Sequence, residues 1–140
     1  QGFCQSQIAV SNEDLDLCRT VEASSWRDTC LVNLAINTTN DRLCAEVSSQ
    51  DGRNTCFLDF ALEMQDSHSC SFIFDEFTRD QCFVSIAVTT ANVSVCGLTT
   101  KPLAYDSCIK NIAKTTNNIS LCDDVRLDII RDDCITFLEN

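Results

Sequence analysis

At 140 residues with a formal net charge of −11, the chain is long enough to bury about two-thirds of its extended surface as a single domain spanning residues 1–140. Its acidity excludes nucleic acid and anionic membrane as natural partners, and no apolar run approaches the ~20 residues that span a bilayer, so no membrane insertion is expected. Eleven cysteines at this density exclude a reducing compartment unless the thiols hold metal, and the expected location is extracellular or at the cell surface. The sequence opens at Gln1 with neither an initiator Met nor an apolar leader, as a processed secreted chain does.

In chain order, the first predicted helix runs from Cys4 through Ile8 and Ala9, and a second, shorter one begins after Asp14 and carries Cys18 to Val21. The same pair then recurs from Cys30, Cys56, Cys82 and Cys108, and a half unit closes the chain at Cys134. The cysteine spacings alternate 14 and 12 throughout, which defines a 26-residue internal repeat of the solenoid type. Five residues after each leading cysteine stands an alanine (Ala9, Ala35, Ala61, Ala87, Ala113), preceded by Ile8, Leu34, Phe60, Ile86 or Ile112. Apolar positions at i, i+1, i+4 and i+5 make one helical face, and a fixed small residue implies close approach of neighbouring helices. Asp14, Asn40, Asp66, Asn92 and Asn118 precede the second helices as N-caps. Polar turns such as SSQDG then separate units, with Pro102 placed for a first helical turn. Each repeat is thus a helix of about three turns followed by one of about two. The fold class expected is all-α, a right-handed α-solenoid of five hairpins plus a terminal half repeat, locked by disulfides.

Two regular pairings use all cysteines but one. Pairing across 14 residues leaves Cys134 alone; pairing across 12 joins Cys18 with Cys30, Cys44 with Cys56, Cys70 with Cys82, Cys96 with Cys108 and Cys122 with Cys134, and leaves Cys4. Around the longer connection the two cysteines of a unit are offset by about 6–7 Å along antiparallel helices. Around the shorter one they lie level, within the reach a disulfide requires, so the 12-residue scheme is preferred and Cys4 is left unpaired or intermolecular. Metal binding is not expected, because no cysteine lies within four residues of another and His68 is the only histidine; His68 reads as a solvated residue at the start of a short helix.

Before each leading cysteine comes Arg27-Asp28, Arg53-Asn54, Arg79-Asp80, Tyr105-Asp106 or Arg131-Asp132. The column reads either as a charged recognition strip or, preferably, as a helix-start motif with inter-repeat ion pairs. No catalytic constellation exists: one histidine and three glycines supply neither a triad nor a phosphate-cradling loop. The acidic pairs Asp123/Asp124 and Asp132/Asp133 lack an EF-hand pattern and read as a solvated face. No cofactor is implied, and an enzyme is not expected. Sequons at Asn37, Asn92 and Asn118 all fall at the turn inside the repeat, beside the threonine pairs 38–39, 89–90 and 115–116, marking one rim for N- or O-linked glycans.

The pattern RDxC-hxxhA…(N/D)xxLC resembles cysteine-bearing short helical-hairpin repeats of secreted or cell-surface proteins, chiefly of archaea and of some bacteria. The likeness covers nearly the whole chain; it implies a fold and a location but no reaction. Tyr105 for Arg, Ser69 for the apolar residue before Cys70, and Gly97-Leu98-Thr99 depart from it. The ends, QGFC with Phe3 and Ile8 and CITFLEN with Ile135, Phe137 and Leu138, carry no dedicated polar cap. Uncapped ends, an odd cysteine and an acidic surface point to a non-enzymatic extracellular structural protein that associates head to tail into a filament or surface layer. The alternative is a secreted binding module that takes a peptide or glycan on its concave face.

Overall fold

A computed structural model of the protein describes residues 2–140, all of whose regular elements are helical. The chain forms two compact units, one ending at Phe74 and the other beginning at Asp75. The first contains α1 (Gly2–Ser11), α2 (Leu15–Arg19), α3 (Ser24–Asn37), a 3₁₀ turn (Asp41–Glu46), α4 (Gln50–Met64) and α5 (Ser67–Cys70). The second contains α6 (Glu76–Thr90), α7 (Val93–Cys96), α8 (Pro102–Thr116), a second 3₁₀ turn (Ile119–Asp124) and α9 (Asp128–Glu139). Within the units, the long helices pack side by side: α1 and α4 on α3, and α6 and α9 on α8.

The long helices exceed the expected three turns: α3 has 14 residues and α4, α6 and α8 have 15 each. They begin six residues before the leading cysteine, inside the polar turns. The reason is capping. Ser49 Oγ accepts from Gly52 N at 3.0 Å and Asp75 from Thr78 N at 2.7 Å, while Pro102 occupies the first turn of α8 without needing an amide partner. What reads as loop in SSQDG is therefore an N-cap and a first turn.

Three of the short helices fall below the expected two turns: α2, α5 and α7 have five, four and four residues. The other two are 3₁₀ and six residues long, two of their tighter turns. Four of the five expected caps bond as predicted: Asp14, Asp66, Asn92 and Asn118 accept backbone amides at 3.0–3.2 Å. Asn40 occupies the same place without a side-chain cap bond.

Just before each cap the backbone turns left-handed, at Glu13, Thr39, Gln65, Ala91 and Asn117, with φ of 50–54°. None is glycine. The next amide then reaches back to the repeated alanine, as in Asn92 N to Ala87 O at 2.9 Å and Asn118 N to Ala113 O at 2.9 Å. That six-to-one bond closes the helix as a Schellman motif, and it makes the left-handed residue obligatory whatever its side chain. The five alanines are fully buried, as close helix approach requires.

Of the two pairing schemes, the structure has the 12-residue one. Cys18–Cys30, Cys44–Cys56, Cys96–Cys108 and Cys122–Cys134 are bonded, with Cα–Cα distances of 5.4–5.8 Å, and Cys70 and Cys82 are disulfide-bonded as well. All ten are buried, as are the alanines.

Candidate functional site

In the Arg-Asp column, Asp28, Asn54, Asp80 and Asp106 accept backbone amides of the turn ahead, and Asp28 and Asp80 accept a hydroxyl there as well. Asp106, fully buried, accepts from Arg126 N at 3.0 Å and Leu127 N at 2.9 Å. Asp80, 2 % exposed, accepts from Thr100 N at 2.9 Å and Lys101 N at 3.0 Å. Asp28 accepts from the amide of Ser48 at 3.1 Å and from its hydroxyl, and Asn54 accepts from Phe74 N at 2.9 Å. In these four the bonded amides lie 20 or 21 residues ahead, in the turn before the next long helix. The arginines hold the turn before their own helix: Arg53 Nη1 donates to Val47 O and Arg131 Nε to Val125 O, both at 2.8 Å, and Arg27 reaches Val21 O at 3.4 Å. Tyr105 replaces arginine and offers its ring to the Arg126 guanidinium, 4.3 Å from the centroid. Asp132, in α9, is exposed.

Ion pairs between successive repeats do exist, but on other residues. Arg19 meets Glu46 bidentately at 2.9 and 2.7 Å, holding that carboxyl below its usual range, chiefly through the hydrogen bonds. Lys110 and Lys114 converge on Asp133 at 3.1 and 3.2 Å and lower its pKa. Burial alone pushes the Asp59 carboxyl upward. Ser69, the departure before Cys70, is buried and hydrogen-bonded, its Oγ 2.9 Å from Asp41 Oδ2 and 3.1 Å from Asp66 Oδ2. His68 stands edge-on to Phe72. Among the described residues no three histidine, cysteine, aspartate or glutamate side chains converge to hold a metal ion, and no helix is long and apolar enough to cross a membrane.

The three sequons lie on exposed residues. Asn37 ends α3. Asn92 and Asn118 use Oδ1 as caps for Ser94 and Ser120, which leaves the capping role independent of Nδ2. Cys4 is free and exposed on α1, beside the half-exposed Phe3 and Ile8. Phe3 packs edge-on against Trp26 at 5.2 Å.

An apolar trough of about 350 Å³ lies between α6 and α8, and sequence reasoning missed it. Phe77 and Val84 of α6 and Leu103 and Ala104 of α8 supply its apolar surface, Glu76, Asp80 and Lys101 cluster at one end, and Gln81, Ser107 and Asn111 are the remaining polar lining. Phe77 and Leu103 are 73 % and 60 % exposed. The signal lay five residues before the leading cysteines, where the first unit has Ser25 and Asp51 but the second has Phe77, Leu103 and Ile129. At the charged end, Lys101 Nζ lies 3.1 Å from Glu76, whose carboxyl is lowered first by the Thr100 hydroxyl at 2.9 Å and then by that ammonium.

No protein-family model, curated protein or solved structure matches the chain.

Proposed function

We propose that this protein is a non-enzymatic extracellular structural protein, a disulfide-locked right-handed α-solenoid whose subunits associate end to end. The observation that carries the reading is the fate of the repeated chemistry. Ten cysteines are oxidised and buried, and the Asp/Asn column, in four of its five members, bonds backbone amides. The cysteines and the Asp/Asn residues that the repeat keeps in register are thereby committed to holding the chain together. The apolar side chains left on α1 (Phe3, Ile8) and α9 (Ile129, Phe137), together with the free Cys4, support self-association through those helices. Sugars on Asn37, Asn92 and Asn118 fit the same extracellular setting, because a glycan on Nδ2 leaves the Oδ1 cap intact. Analytical ultracentrifugation and negative-stain microscopy test the assembly. Mass rising with concentration and linear particles are expected, whereas a monomer at millimolar protein rejects self-association. Small-angle scattering tests the solenoid, for which an elongated particle is expected.

A second reading, a secreted binding module, is favoured by one feature: the trough between α6 and α8, where apolar side chains are exposed beside polar ones.

A further inference from the structure

We infer that the trough between α6 and α8 takes an extended peptide segment of another protein, one that carries an aliphatic or aromatic side chain next to a lysine or arginine. The inference rests on the binding-module reading and is independent of end-to-end association. Three properties of the trough lead to it.

The first is its dimensions. From Leu103 to Asn111 the wall of α8 extends eight residues, about 12 Å of helix, which matches about four residues of extended chain. A volume of about 350 Å³ lies within the range of ligand pockets and admits one large side chain with its backbone.

The second is the distribution of polar groups. The side chains of Gln81, Ser107 and Asn111 line the trough. Amide and hydroxyl groups both donate and accept, as an extended backbone with alternating N–H and C=O requires. The apolar surface comes from both helices, Phe77 and Val84 of α6 and Leu103 and Ala104 of α8, three of the four aliphatic. Such a surface desolvates an apolar side chain well and a hydroxyl-rich sugar face poorly. Peptide is therefore favoured over glycan.

The third is charge. Two carboxylates, Glu76 and Asp80, and one ammonium, Lys101, line the same end, so that end carries one net negative charge. Asp80 is buried against backbone amides. Glu76 is half-exposed, and its partner Lys101 is more exposed still; such a pair is weak and exchangeable. A lysine or arginine of the incoming segment competes for Glu76 while its neighbour enters the apolar part.

An array of hexapeptides presenting every central dipeptide between glycine and serine flanks, probed with the labelled full chain, tests the inference. Soluble oligosaccharides are measured in parallel by calorimetry. The expected result is selective retention by spots pairing Leu, Ile, Phe or Met with Lys or Arg, weakened by salt. Phe77→Ser is expected to weaken the best peptide by at least about tenfold, from the lost apolar burial, and Glu76→Gln by up to about fivefold. Phe77 lies largely outside the core, so the variant keeps its fold; Gln81→Ala provides a second, exposed probe. Peptide binding that survives Phe77→Ser and Gln81→Ala overturns this site while leaving the binding-module reading standing. Preference for acidic dipeptides, or oligosaccharide binding in place of peptide, overturns the ligand class. Absence of binding in both formats overturns the inference and the binding-module reading together.

Discussion

Replacing Asp106 with alanine removes a carboxylate that is fully buried and accepts two backbone amides, at 3.0 and 2.9 Å. Each is a charge-assisted bond, for which about 1.5–3 kcal/mol is typical, and its loss strands a donor away from water. The two together place the cost of Asp106→Ala at about 3–6 kcal/mol, a large share of the ~5–15 kcal/mol that holds a domain folded. Asp106→Asn keeps one acceptor oxygen but turns an NH₂ toward the second amide, donor against donor, so about half of that penalty is expected. The chain contains its own control. Asp132 is the same position of the motif in α9, exposed, and Asp132→Ala is expected to fall within about 0.5 kcal/mol of the parent. Urea unfolding followed by far-UV circular dichroism, with disulfides intact, reads all three variants through the midpoint at constant m. If Asp106→Ala costs less than about 1 kcal/mol, or no more than Asp132→Ala, the backbone-gripping account of the Asp/Asn column is wrong.

Removing one staple as Cys96→Ser/Cys108→Ser is expected to cost about 3 kcal/mol by the loop-closure model, and non-reducing peptide mapping of the parent is expected to return the 12-residue links. Ala91→Gly relieves a left-handed residue at φ 52° and is expected to stabilise by about 1 kcal/mol in the same urea assay; a loss of stability would refute the strain. Asn118→Asp keeps the cap oxygen but removes the glycan acceptor, whereas Asn118→Ala loses about 1 kcal/mol as a missing cap; intact mass and melting temperature separate the two effects. The lowered carboxyl pKa values of Glu46, Glu76 and Asp133 mean that the folded state holds these groups ionised more firmly than the unfolded chain does. Their contribution is complete above the unfolded carboxylate values near 4 and is lost as pH falls through the lower folded ones. Glu46→Gln is expected to flatten that acid limb in melts between about pH 5 and 2, while Asp59, shifted upward by burial, acts in the opposite sense.

The repeat, the caps and the staples were legible in the sequence because each is local. An Asp or Asn that caps a turn bonds an amide two or three residues away, and the level placement of Cys44 and Cys56 follows from turn lengths alone. The partners of Asp80 and Asp106 were not legible, because their amides stand about 20 residues on and belong to backbone, which leaves no mark in residue identity. The left-handed residues were hidden for a related reason. The turn demands the conformation of Thr39 or Ala91, and neither side chain advertises it as glycine would. The length of α4 was underestimated because SSQDG has loop composition, although Ser49 makes it a helix start. The trough escaped notice because it departs from the repeat, and the shared pattern at Ala87 and Ala113 draws the eye away from Phe77 and Leu103, where the units differ.

The distances along the chain over which these bonds close have a consequence for synthesis. A disulfide loop is complete 12 residues after its first cysteine, and an aspartate finds its amides about 20 residues after it has been made. As the chain emerges from a ribosome or a translocon, each carboxylate is already waiting when the turn it will hold arrives. Within a unit, a hairpin can dock on its predecessor before the next one has been made. Such nearest-neighbour closure keeps contact order low and exposes little unpaired chain at any moment, which suits a molecule in which each of ten buried cysteines must find one partner among many.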